Sequence, residues 1–118
     1  MTLTGERLQQ IARDTAASLP EVSHGHPFTP HLDVWKAGEK VFLIVTDDDP
    51  DLQIITVKAD PDHGDALRRD HDSITVGHYL DKKHWISIGP GRGITAELIE
   101  NLVHTSYELA DAHHPEPS

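Results

Sequence analysis

The chain has 118 residues, no cysteine, 36% hydrophobic residues and a formal net charge of −10. That length suits one domain around one modest core, and the missing cysteines exclude disulfides, thiolate ligands and a cysteine nucleophile. No apolar run is long enough to cross a membrane, and no charged segment followed by an apolar stretch opens the chain, so neither anchor nor signal peptide is expected and a reducing cytoplasm suits it.

Taken in chain order, Glu6–Leu19 reads as an amphipathic helix, with Leu8, Ile11, Ala12, Thr15, Ala16 and Leu19 on one stripe. Thr4 is placed to cap it and Pro20 to end it. Glu21–Pro30 reads as a polar loop, kept extended by Pro27 and Pro30. His31–Ala37 and Lys40–Thr46 read as a hairpin about Gly38-Glu39, and the apolar run Val41–Val45 marks a central strand. An acidic turn, Asp47–Asp51, leads to a third strand, Leu52–Lys58.

Asp60-Pro61 is a helix start, and the helix is expected to run to about His71 with Ala66 and Leu67 inward. Gly64 weakens it by roughly 1 kcal/mol relative to alanine. Ser73–Val76 and Trp85–Ile88 are the fourth and fifth strands, and Gly89–Gly93 is a flexible turn. Thr95 caps a last helix to about Ala112, with Ile94 and Ile99 as a hydrophobic staple and Leu98, Ile99, Leu102, Val103, Ser106, Leu109 and Ala110 as its buried stripe. The expected fold is α+β: a single antiparallel sheet of about five strands with helices covering one face, in the order α-β-β-β-α-β-β-α. It forms one domain over residues 1–112, with 113–118 a tail.

Charge is unevenly spread. Residues 47–72 hold nine acids against three bases, and residues 94–118 hold five acids with no lysine or arginine. Residues 73–93 hold only Asp81 against Lys82, Lys83 and Arg92, a local charge of +2. Within them lies Gly77-His78-Tyr79-Leu80-Asp81-Lys82-Lys83-His84-Trp85, which mixes cations with aromatic rings between two strands. Such a loop can hold anions and stack on flat groups. Screening over about 8–10 Å lets a local basic face act on an acidic protein.

Two readings follow. In the first, a nucleic-acid interface, Lys82, Lys83, His84 and Arg92 contact phosphate, His78, Tyr79 and Trp85 shape the loop, and Lys36, Lys40 and Lys58 extend the surface if their strands share a face. In the second, a small-molecule or anion pocket forms where the 23–31 and 77–85 loops meet, lined by His24, His26, His78, Tyr79, Lys82, His84 and Trp85. His24, His26 and His31 approximate a metal cluster, but spacings of this kind are common among ten histidines, so no metal and no cofactor is expected. Asp47–Asp51 lacks the glycine of a calcium loop and meets Lys58 where the closing glutamate belongs. No nucleophile elbow, phosphate loop or carboxylate pair is present, so an enzyme is not expected. His104 and Tyr107 share a helix face suited to packing on the sheet.

The chain resembles the MmcQ/YjbR family of small bacterial proteins. The resemblance rests on Ser18-Leu19-Pro20-Glu21, Pro27-Phe28, Val34-Trp35-Lys36-Ala37-Gly38-Glu39-Lys40-Val41-Phe42, Val57-Lys58-Ala59-Asp60-Pro61, the 77–85 run and His104-Thr105-Ser106-Tyr107-Glu108-Leu109. In the 77–85 run the family pattern is Gly-Tyr-His-Leu-Asn-Lys-Arg-His-Trp. This chain departs from it with the order His78-Tyr79, with Asp81 for asparagine and with Lys83 for arginine. The resemblance implies a frataxin/CyaY-like fold and DNA binding; a monomer is the expected state.

Overall fold

The computed structural model describes residues 3–26, 30–46, 52–77 and 81–112. In order, the elements are α1 (Gly5–Ala17), β1 (Val22–Gly25), β2 (Leu32–Ala37), β3 (Lys40–Thr46), β4 (Ile55–Lys58), α2 (Pro61–Asp70), β5 (Ile74–Val76), β6 (Trp85–Ile88) and α3 (Ala96–Ala112). The strands form one antiparallel sheet in the order β1-β2-β3-β4-β6-β5. The α+β class and the helices on one face agree with the sequence reading. The sixth strand does not: β1 lies in the expected 21–30 loop. Its residues carry little strand signal, because Val22 is their one large apolar side chain, and pairing with β2 makes the strand.

Local chemistry sets the helix ends. Thr4 Oγ1 accepts the Arg7 amide at 3.0 Å, as expected of the α1 cap. The helix stops at Ala17 rather than Leu19, because the Ser18 and Leu19 amides turn back to the Thr15 and Ala16 carbonyls. Asp60 occupies the cap position of α2 but its side chain makes no capping bond. Thr95 Oγ1 accepts the Leu98 amide at 3.1 Å and starts α3. Gly64 is explained by packing. A Cβ there would stand 3.3 Å from Ile86 Cγ2, so the missing side chain lets α2 lie on β6.

One face of the sheet is the main core. Trp35, Leu43, Val57 and Ile86 form one row across it, and Val45, Ile55, Ile88 and Ile74 the next. Leu8, Ile11, Ala12, Ile99, Leu102 and Val103 of α1 and α3 cover these rows. The register slips between Trp35 and Lys36, and the extra residue, Phe42, also joins this core. The other face alternates with the first. It carries Leu32, Val34 and Ile44, then Thr56 and Ser87, whose hydroxyls bond each other at 2.9 Å.

Helix side chains fasten β3 to β4 beyond both ends of their ladder. Ser106 of α3 accepts from the Lys58 amide (2.8 Å) and donates to the Phe42 carbonyl (2.6 Å). At the opposite end Gln9 of α1 donates to the Thr46 carbonyl (2.6 Å) and the Ile54 carbonyl (3.1 Å). Two of the motif segments also meet. Tyr107 Oη donates to the Pro20 carbonyl at 2.7 Å, and its ring packs edge-on against Phe42.

Candidate nucleic-acid interface

Antiparallel pairing brings the end of β2, the start of β3, the end of β4 and the start of β6 to the same end of the sheet. All five lysines lie there. Lys36 is next to last in β2, Lys40 opens β3, Lys58 closes β4, and Lys82 and Lys83 immediately precede β6. Lys36 and Lys58 point away from the helices, since their neighbours Trp35, Ala37 and Val57 are in the helix-covered core. Trp85 sits directly opposite Lys58 on that helix-free face and is half-buried. Three strand spacings of about 4.8 Å put Lys36 roughly 14 Å from the Trp85 strand.

Asp81 builds the turn that carries Lys82 and Lys83. Its Oδ1 accepts the Lys83 amide at 2.9 Å, its Oδ2 takes a hydrogen bond from His84 Nδ1 at 2.5 Å, and its carbonyl accepts the Trp85 amide at 3.1 Å. The carboxylate is therefore committed to its own turn rather than to a lysine ammonium. The hydrogen bond from His84, and then that from the Lys83 amide, hold the Asp81 carboxyl below its ordinary value of 3.8. The turn is anchored to its neighbours by Ala59 N–H on the His84 carbonyl and Gly77 N–H on the Trp85 carbonyl, both 2.8 Å. Gly77 is required at that contact: a Cβ would lie 2.7 Å from Trp85 Cβ and 3.0 Å from its backbone.

Lys82 and Lys83 are exposed and His84 is half-exposed. None of the lysines is in an ion pair among the described residues, whereas Arg13 pairs with Asp33 and Arg68 with Asp65. Glu39 in the hairpin turn and Asp60 and Asp62 at the start of α2 also lie towards this end, so the lysines form a local patch and not a uniformly basic surface.

Other expected site residues are placed elsewhere. Arg92 lies beyond the opposite end of β6, in a hollow with Asp70, His71 and Asp72, and does not join Lys82 and Lys83. His78 and Tyr79 fall outside the described residues, as does the acidic 47–51 segment. The expected pocket between the 23–31 and 77–85 segments is not formed by the described residues. Ser23–His26 flank the β1 edge and Gly77 the β5 edge, five strand spacings or about 24 Å apart, because β1 adds to the outside of β2. His104 is exposed beside Asp14 and Glu100, while Tyr107 makes the structural bonds given above.

The sequence reading missed one cluster. Asp33, 6% exposed, takes hydrogen bonds from Arg13 Nε and His24 Nδ1, both at 3.3 Å. The His24 ring stacks on buried Trp35 with centroids 4.3 Å apart. The only sequence signal was an aspartate between the apolar Leu32 and Val34, where burial demands a partner. Among the described residues no three metal-ligating side chains converge, and no helix is long and apolar enough to cross a membrane.

Comparison with known proteins agrees with this architecture. The YjbR family model matches residues 17–109. The uncharacterized protein YbdF of Escherichia coli O157:H7 is 34% identical over 104 residues, covering 88% of this chain and 84% of that protein. YyaQ of Bacillus subtilis (strain 168), also uncharacterized, is 36% identical over 59 residues, 50% of this chain and 49% of its own. The crystal structure of Deinococcus radiodurans protein DR2400, a DUF419 domain, superposes with a TM-score of 0.82 at 28% identity, covering 97% of this chain and 83% of that one. A Pseudomonas syringae protein shares the fold, with a TM-score of 0.70 at 22% identity over 86% of this chain and 97% of its own.

Proposed function

The chain belongs to the YjbR family, and from that premise we propose that it is a non-enzymatic cytoplasmic protein that binds DNA through the lysine end of its sheet. The observation that carries this reading is the gathering of every lysine, outside any ion pair among the described residues, at the end of the sheet that carries the half-buried Trp85. Lys82 and Lys83 lead, on a turn pre-shaped by Asp81, and so lose little freedom on contact with phosphate. Lys36 and Lys58 continue the surface, and Trp85 and His84 border it. His78 and Tyr79 belong to the same run of sequence and are assigned to the interface with it.

Binding on an acidic protein must be local and sensitive to salt. If four lysines each neutralise one phosphate, affinity falls with a log–log slope of about −3.6, or roughly 100-fold between about 50 and 200 mM salt. The test is a polarisation titration of labelled duplex DNA across that range, with the native chain and with Lys82→Ala/Lys83→Ala. We expect the double variant to weaken binding at low salt by about tenfold or more and to reduce the slope by about 2. Binding unchanged by the substitutions, or absent at the lowest salt, removes the proposal.

A further inference from the structure

The lysine end holds one aromatic ring among its cations. Trp85, Lys58 and Lys36 share the helix-free face, with Trp85 directly opposite Lys58 and Lys36 two strands beyond. Neighbouring strands are about 4.8 Å apart, so the Lys58 side chain is long enough to bring its ammonium beside the ring. Lys82 and Lys83 precede Trp85 in the chain. The backbone under the ring is pinned at both groups: the Trp85 N–H bonds the Asp81 carbonyl at 3.1 Å, and the Trp85 carbonyl accepts the Gly77 N–H at 2.8 Å. Trp35, on the other face, is 5% exposed, whereas Trp85 keeps part of its surface in solvent.

The form of this end disfavours entry into a duplex groove. The major groove of B-DNA takes a helix or a two-stranded ribbon. The elements of that kind at this end are the β2–β3 hairpin and the start of α2, and both are led by exposed carboxylates, Glu39 on the first and Asp60 and Asp62 on the second. Either would carry negative charge between two phosphate backbones. Lys36 and Lys58 stand behind them, partly buried along the strands. A stiff duplex cannot follow such a recessed row, and its bases are already stacked on one another. A single strand can bend to it and offer an open base face to an aromatic ring.

We infer that the lysine end takes single-stranded DNA in preference to duplex, with an unpaired base stacked on Trp85 and the flanking phosphates held by Lys58 and by Lys82 or Lys83. The inference rests on the reading of this end as the DNA interface and adds the strand state of the ligand. Charge alone would give the opposite preference, because a duplex releases more counterions per phosphate neutralised, about 0.9 against about 0.7. A tighter single strand therefore reports stacking, and one stacked base is worth roughly tenfold.

The experiment compares one strand of about 15 nucleotides with the duplex it forms with its complement, by polarisation at about 50 mM salt with the full chain. The single strand should bind about tenfold or more tightly. Tryptophan emission should fall on saturation with unlabelled single strand and hold with duplex, since Trp35 is buried and only Trp85 can meet a base. Trp85→Leu should bring the two affinities within about twofold of each other. If that variant does not fold, the emission of the native chain decides. Equal or weaker affinity for the single strand, single-strand binding that leaves the emission unchanged, or a preference that survives Trp85→Leu overturns the inference. In each case duplex binding weakened by Lys82→Ala/Lys83→Ala still leaves the DNA interface standing. Absence of binding to both forms removes the interface, and this inference with it.

Discussion

The two ends of the sheet are fastened in similar ways and carry different charge. At one, Ser106 joins Lys58 to Phe42; at the other, Gln9 reaches Thr46 and Ile54. At one, backbone packs on backbone through Gly77; at the other Gly91 lies so close over Ser73 that a Cβ would fall 1.6 Å from its hydroxyl. Yet every lysine is at the first end, while Arg92 at the second is set among Asp70 and Asp72. Strand direction does the sorting. Lys36, Lys40, Lys58 and Lys82 are spread over 47 positions of sequence, but each stands where a strand leaves or enters the same edge row. Function on an acidic protein depends on where the few cations are collected, not on their sum.

The contrast is broken most strongly by reversing charge. Lys82→Glu/Lys83→Glu should cost about 100-fold or more in DNA affinity at low salt, whereas Arg92→Glu at the far end should change it less than about twofold, both read by polarisation titration. Removing the fasteners comes next. Ser106→Ala leaves the Lys58 amide and the Phe42 carbonyl without their common partner and should destabilise the fold by about 2 kcal/mol in urea unfolding, and Gln9→Ala should cost a similar amount. Only the first should also weaken DNA binding by the folded protein, because only it loosens the strand end that carries Lys58.

A smaller effect sharpens the comparison in the opposite direction. Asp81→Asn keeps an acceptor for the Lys83 amide and removes a negative charge from the turn that carries the two lysines. It should tighten DNA binding about threefold. The smallest effect concerns pH. The Asp81 carboxyl is held below its ordinary value, so its contribution to the turn is complete above the ordinary carboxylate range and is lost only as pH falls through the lowered value. The Lys83 amide shift should therefore stay native down to about pH 4.

Most of the architecture was legible because the signals were local. Thr4 and Thr95 cap the helices where expected, Gly38-Glu39 turns the hairpin with Gly38 at φ +60°, and the Ile94 and Ile99 pair is buried. What was not legible is non-local. β1 exists through its partner, the Asp33 cluster through burial, and the split between Arg92 and Lys82 through strand direction, although only nine positions separate them in sequence. Asp81 showed the same limit at short range. As a charge it counts against the lysines, but its geometry builds the turn that presents them.

The most direct measurement is an amide-resolved NMR titration of the chain with duplex DNA at about 50 mM salt. If the lysine end is the interface, shifts should centre on Lys82, Lys83, His84 and Trp85, extend to Lys58 and Lys36, spare Gly91–Gly93, and fade as salt is raised to about 200 mM. Shifts centred on Arg92 and the α2 end, or spread without preference over the surface, would contradict it.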